Sequence, residues 1–152
     1  MTNDSKPTFP FYHVWTDDDG TSHQTRCELT DFEKKAISDG SSPQWNHPIF
    51  TENCRVLFSE LPVGWVGEWH ENPEPQWIVP LSGSWWVETM DGERITMGPG
   101  EFSFGADQNT TDGKGHRSGT AGDVPCRMMI VQIKAKEYRA AKPGTFGRVV
   151  ED

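Results

Sequence analysis

What most constrains this chain is a series of short strand-like runs, each cut off by turn residues before it could become a helix. Cys54–Glu60, Trp65–His70, Gln76–Leu81, Ser84–Met90, Arg94–Met97, Glu101–Phe104 and Arg127–Ile133 are the runs. Leu61-Pro62-Val63-Gly64, Ser82-Gly83, Asp91-Gly92 and Pro99-Gly100 separate several of them. Asp91-Gly92 between two alternating runs predicts a hairpin, because a type I′ turn needs positive φ at both central positions. Seven short strands at regular spacing predict a sandwich or a barrel. None approaches the ~20 apolar residues of a membrane-spanning helix.

Composition agrees with that pattern. Leu and Ala, the helix formers, total 10, against 33 Val, Ile, Phe, Trp and Tyr, which suit pleated sheets. Fifteen Gly and 11 Pro supply turns, and 152 residues are one domain's worth of chain. A helical bundle, a coiled coil and a pair of large domains are excluded. Outside the central series, Phe9–Thr16 and Thr21–Leu29 read as a hairpin across Asp19-Gly20. Thr30 with Glu33 forms a capping box, which predicts a short helix over Asp31–Ser38, then a loop over Ser41–His47. Glu137–Lys142 reads as a brief helix and Thr145–Val150 as an edge strand or tail. The expected organisation is an N-terminal extension (1–53), a core (54–134) and a C-terminal tail (135–152) within one structural domain.

Charge and cysteines narrow the function classes. The net charge of −9 repels phosphate backbones and anionic lipid, so neither nucleic acid nor a membrane is expected as a partner. Met1–Pro10 has no basic start followed by an apolar stretch, and a cytoplasmic location is expected. Cys27, Cys54 and Cys126 are odd in number and widely spaced, which predicts free thiols and no thiolate zinc site.

One spacing carries chemistry. Gly64, five residues, His70, one residue, Asn72, three residues, Gln76, six residues and Gly83 resembles the first motif of the cupin superfamily, Gly-x5-His-x-His-x3-Glu-x6-Gly. Gly98-Pro99-Gly100 resembles the turn of the second motif, and His116 is the later histidine. Asp107-Gln108-Asn109 with Gly113-Lys114-Gly115-His116 is similar to a group of small single-domain bacterial cupins. The resemblance covers about Arg55–Ile133. It implies an all-β, antiparallel double-stranded β-helix, the cupin jelly-roll barrel, with a small-molecule pocket at one mouth. It also implies one divalent metal (zinc, nickel, iron or manganese) held by His70, Asn72, Gln76 and His116. Asn72 and Gln76 stand where the family has a second His and a Glu. Two imidazoles with two neutral amides leave an ion's charge uncompensated, so a site without metal is the alternative. The readings are therefore a metal-dependent oxygenase, isomerase or lyase; a metal-free site where His70 or His116 works as acid or base; or a non-catalytic barrel that binds or senses a metabolite.

Other residues complete the candidate site. Glu68 shares parity with His70 and is a candidate ligand or general base. Lys114 and Arg117 flank His116 on a glycine-bracketed loop and are candidates for a substrate carboxylate. Asp107 is the candidate partner that orients His116. Trp85 and Trp86 are adjacent, so one points inward and is a candidate ligand wall. Trp69 and Trp77 have the opposite parity to His70 and Gln76 and should face away. His13, His23 and His47 are expected to be structural or at the surface. His70 and His116 are expected within a few ångströms of each other. A homodimer is expected, since the hairpin rings of Phe9, Phe11, Tyr12 and Trp15 need cover.

Overall fold

Alternating side chains sort the central strands into two facing sheets. The computed structural model describes residues 5–47, 49 and 52–151. Its strands are β1 (Phe9–Thr16), β2 (Ser22–Leu29), β3 (Glu33–Lys35), β4 (Gln44–Asn46), β5 (Cys54–Leu61) and β6 (Gln76–Ser82). They continue as β7 (Ser84–Thr89), β8 (Arg94–Met97), β9 (Ser103–Ala106), β10 (His116–Ala121), β11 (Cys126–Ile133) and β12 (Gly147–Val149). The large sheet runs β12-β2-β1-β9-β6-β11-β5, and the small one runs β10-β7-β8. Residues 65–70 lie along the free side of β10, joined by Gly67 N–H to Ser118 O and by a reciprocal pair between His70 and His116. The core is thus β5-β11-β6-β9 facing 65–70-β10-β7-β8, which is jelly-roll topology. The all-β fold expected from the sequence is the fold observed.

The expected strand Trp65–His70 is present only as two isolated bridges, Val66 to Gly119 and His70 to His116. Their registers differ by one residue. Such a slip turns later side chains to the other face. Val66 therefore lies outside, opposite Gly119, while His70 turns inward beside His116.

Two cores flank the large sheet. Val14, Ile78, Trp85, Val87, Met97 and Met128 fill the space between the sheets. On the far side, Phe11, Phe32, Trp77, Phe104, Ile133 and Phe146 form a second cluster, closed by the chain's own extensions. Trp77 does face away from the barrel interior, with ring centroids of Phe104 at 4.6 Å and Phe146 at 5.1 Å.

The N-terminal hairpin packs on its own barrel. β1 pairs with β2 over eight residues and runs parallel to β9. Phe11 is only 2% exposed, between Trp77, Phe102 and Phe146. The rings expected to await a second copy are largely covered within the chain, with Phe9 the exposed exception.

Three local expectations are corrected. Asp31–Ser38 is not a helix, and Ser41–His47 is not simply a loop, because β3 pairs antiparallel with β4 through these stretches. Eight residues are too few for a stable helix without a packed face. Phe32 instead drops into the far core, its ring 5.0 Å from Phe9 and 5.3 Å from His47. Glu137–Lys142 is reduced to a 3-10 turn over Lys136–Tyr138, with Ala140 at φ 52. The tail then forms β12, an edge strand on β2.

Cys27 and Cys126 are buried, Cys54 is exposed, and all three are free. Among the described residues no helix is long and apolar enough to cross a membrane. His23 sits between Asp17 (2.6 Å) and Asp91 (2.9 Å), tying two turns together. Partial burial opposes its charge, but the two carboxylates prevail and hold the imidazole above its usual range.

Candidate functional site

Two glycines make the close approaches on which the site depends. On β9, Gly105 lies opposite Gln76, and a Cβ there would collide with the Asn72 amide. Gly115 has φ +64, and a Cβ there would collide with the carbonyl of His70. With no side chain in the way, His70 and His116 exchange backbone hydrogen bonds of 2.8 and 2.9 Å. Their ring centroids lie 4.9 Å apart. Glu71 fixes the loop between Asp107 and Gly115 by accepting from Thr110 N–H and Oγ1–H at 2.8 and 2.6 Å.

A buried polar chain runs behind the imidazoles. Gln132 Nε2 donates to Gln76 Oε1 (3.0 Å), Gln76 Nε2 donates to Asn72 Oδ1 (2.6 Å), and Asn72 Nδ2 donates to Asp107 Oδ1 (2.7 Å). The Asn72 backbone N–H donates to the same oxygen at 2.9 Å. Asp107 Oδ2 then accepts from His116 Nδ1 at 2.6 Å. Gln108 Nε2 caps the Asn72 carbonyl, and its Oε1 accepts from Ala140 N–H, which anchors the C-terminal tail to the site.

Asp107 is 0% exposed. Burial alone would raise its pKa. The facing His116 and the hydrogen bonds from His116 and Asn72 outweigh that, and the carboxyl is held below its usual range. His70 Nδ1 lies 2.8 Å from the Glu68 carbonyl oxygen and must donate to it. Both imidazoles are therefore pinned through Nδ1, and each keeps Nε2 without a hydrogen-bond partner among the described residues.

This arrangement does not fit the implied four-ligand metal set. The Asn72 and Gln76 carbonyl oxygens already accept hydrogen bonds within the amide chain. Among the described residues no group of three His, Cys, Asp or Glu side chains gathers to hold an ion. Two imidazole Nε2 atoms remain, which is half of the set that the resemblance implies.

The remaining candidates are scattered. The Glu68 side chain is exposed, and its backbone carbonyl is what touches His70. Trp85 points inward as parity required, but it is 3% exposed and packed in the inner core, so it walls no open site. Trp86 faces outward beneath the Arg94 guanidinium, 3.8 Å from its ring centroid. Arg117 follows His116 and so points to the opposite face, pairing with Glu88 at 2.8 Å. Lys114 lies 4.5 Å from the Trp69 ring. The structure therefore does not bring Trp86, Lys114 or Arg117 to the imidazoles. Gln132, Gln108, Glu71 and Thr110 were missed. Gln132 had a signal, since it shares parity with Met128 and Ile130 on the inward face of its strand.

Leu57 of β5 pairs with Ile130 and lies on the face of Ile78, which belongs to the inner core. Leu57, Ser59, Leu61 and Ile130 are only half-buried, as befits an edge strand and its neighbour. A cavity of about 770 Å³ lies elsewhere, between β3–β4 and the ends of β1 and β2, and touches neither imidazole.

No family model matches the chain, and no curated protein matches it. Among solved structures it is similar to protein NMB1881 from Neisseria meningitidis, at 16% identity over 57% of this chain and 79% of that one (TM-score 0.43). It is similar to a cupin-2 domain containing protein from Shewanella frigidimarina, at 16% identity over 57% and 76% (TM-score 0.42). It is also similar to a putative ethanolamine utilization protein Q from Salmonella typhimurium, at 17% identity over 86% and 99% (TM-score 0.42).

Proposed function

We propose that this barrel moves a proton on a small molecule bound beside the paired imidazoles of His70 and His116, with His116 as the acid–base group, Asp107 as its anchor and no metal. The observation that carries the reading is the 2.6 Å bond between His116 Nδ1 and a carboxylate with no exposure. That bond fixes which nitrogen carries the proton and leaves Nε2 as the base. As the substrate bond to hydrogen breaks, the proton passes to Nε2, and ionised Asp107 stabilises the imidazolium. Returning the proton to another substrate atom completes an isomerisation or an elimination. His70 is exposed and carries the same tautomer, so it exchanges protons with solvent. Gln76 and Gln132 support the anchor from behind. General acid–base catalysis of this kind contributes about 10²- to 10⁴-fold in rate.

Proton exchange tests this without knowledge of the natural substrate. The protein is incubated in D₂O with a panel of small ketones, hydroxy acids and amino acids, and deuterium uptake at carbon is followed by NMR. The expected result is exchange into a panel member that a chelator leaves unchanged and that His116→Gln slows at least about 100-fold. Exchange that survives His116→Gln, or that a chelator stops, contradicts the reading.

A further inference from the structure

A basic concavity lies where the end of β11 meets the C-terminal tail. Its volume is about 260 Å³, and Glu74, Lys134, Ala135, Lys136 and Arg139 line it. Three pieces of chain meet there. Lys134 follows the last residue of β11, and its N–H donates to the Asn53 carbonyl at 3.0 Å. Lys136 opens the 3-10 turn of the tail, and the Arg139 N–H closes that turn onto the Lys136 carbonyl at 3.2 Å. Residues three apart in such a turn eclipse, so Lys136 and Arg139 project to the same side. Glu74 comes from the bend before β6, where the Pro75 carbonyl accepts from Ile133 N–H at 2.8 Å.

Acidic residues outnumber basic ones 23 to 14 in this chain, so cations have carboxylates within easy reach. Arg94 and Arg117 share Glu88, Arg127 pairs with Glu60, and Arg148 pairs with Glu28. Lys134, Lys136 and Arg139 instead crowd one concavity, and among the described residues none of them pairs with a carboxylate. Arg139 commits only Nη1, to the Pro73 carbonyl at 3.5 Å. We propose that this concavity binds the phosphate dianion of a small phosphomonoester. Three cations against Glu74 leave two positive charges, which match the dianion. A guanidinium fork meets phosphate oxygens in pairs, and lysines add point charges. The net charge of −9 repels long polyanions, which favours a small anion over a nucleic acid.

The turn that presents these cations is anchored at both ends. The Tyr138 ring packs 5.2 Å from that of Phe146 in the far core. Ala140, next to Arg139, donates its N–H to Gln108 Oε1 at 2.8 Å. Binding therefore does not have to order a loose segment first, which lowers its cost. None of the lining residues belongs to the polar chain behind His116, so the phosphate site does not depend on the proton-transfer reading.

Titration of the ¹⁵N-labelled full chain tests it. Glycerol 3-phosphate and inorganic phosphate are added separately at low ionic strength, and the amide signals are followed by NMR. Both should give saturable shifts centred on residues 134–140, with the ester at least as tight as the free ion. Arg139→Ala should weaken binding about tenfold or more, and Lys136→Ala about threefold or more. Arg55→Ala removes the same charge from β5 and should change affinity by less than about twofold, since exposed charges far apart are screened. Lys136, Arg139 and Arg55 are all exposed, so these variants should fold. His116→Gln should bind as the native chain does. The proposal is overturned if neither phosphate gives saturable shifts, or if citrate binds there and phosphate does not. It is equally overturned if Arg55→Ala loses as much affinity as Arg139→Ala, which would mean overall charge attraction only. Binding lost in His116→Gln would place the phosphate at the imidazoles and overturn it too.

Discussion

Replacing Asp107 with Ala is expected to lower stability by about 3–5 kcal/mol, since each buried donor left without its acceptor costs about 1–3 kcal/mol. Three donors lose their acceptor: the Asn72 backbone N–H, the Asn72 amide and His116 Nδ1–H. None can turn to water, because Asn72, Asp107 and His116 are all buried. For a chain of this length the melting temperature should fall by roughly 6–20 °C. Asp107→Asn is expected to be milder. It keeps one acceptor for Asn72 but turns an NH₂ group toward His116, which forces the imidazole into the other tautomer. Urea unfolding of both variants checks this. A loss below about 1 kcal/mol for Asp107→Ala would mean that the carboxylate is not sealed in the network.

The second large effect is acid sensitivity from His13. Its ring is buried between Phe11 (6.2 Å) and Phe104 (5.4 Å), Nε2 donates to the Ala141 carbonyl at 2.7 Å, and Nδ1 has no partner. Burial, only partly offset by the Ala141 bond, lowers its pKa from 6.5 to about 4. The unfolded chain takes up this proton near pH 6.5, whereas the folded chain resists until about pH 4. Stability from the neutral ring is therefore complete above pH 6.5 and falls as the solution is acidified. The loss is about 2 kcal/mol at pH 5 and roughly 3 kcal/mol below pH 4. His23 works in the opposite direction, because its raised pKa adds stability that is present below pH 6.5 and lost as pH rises through its folded value. Comparison with His13→Gln isolates the His13 contribution. Between pH 7 and pH 5 the native chain should lose about 2 kcal/mol more than the variant. Equal losses would place a charged or hydrated His13 in the folded state.

The fold was legible because turn residues and β-branched runs act locally. Asp91-Gly92 and Pro99-Gly100 cut the central strands where the structure turns, and the spacing from Gly64 to Gly83 marked the motif strands. The short helix over 31–38 failed because the capping box at Thr30 is a local signal, whereas Phe32 is claimed by a core made of residues distant in sequence. The irregular segment 65–70 was read as a strand because parity does not register a one-residue slip. That slip brings His70 inward. Proximity of His70 and His116 followed from motif spacing, but the fate of Asn72 and Gln76 did not. Their chemistry depends on Gln132, 56 residues beyond Gln76 and paired with it only through the register of β6 and β11. Arg117 and Lys114 were judged by their distance along the chain from His116, and alternation sends Arg117 to the opposite face.

The most direct test of the account is the state of the His116 ring, read by long-range ¹⁵N–¹H NMR on the native chain at neutral pH. The expected result is a proton on Nδ1, far downfield because Asp107 holds it. Nε2 should give the signal of a bare nitrogen, and the downfield proton should vanish in Asp107→Asn. A ring protonated at Nε2 would contradict it, as would a signal showing Nε2 bound to a metal ion carried through purification.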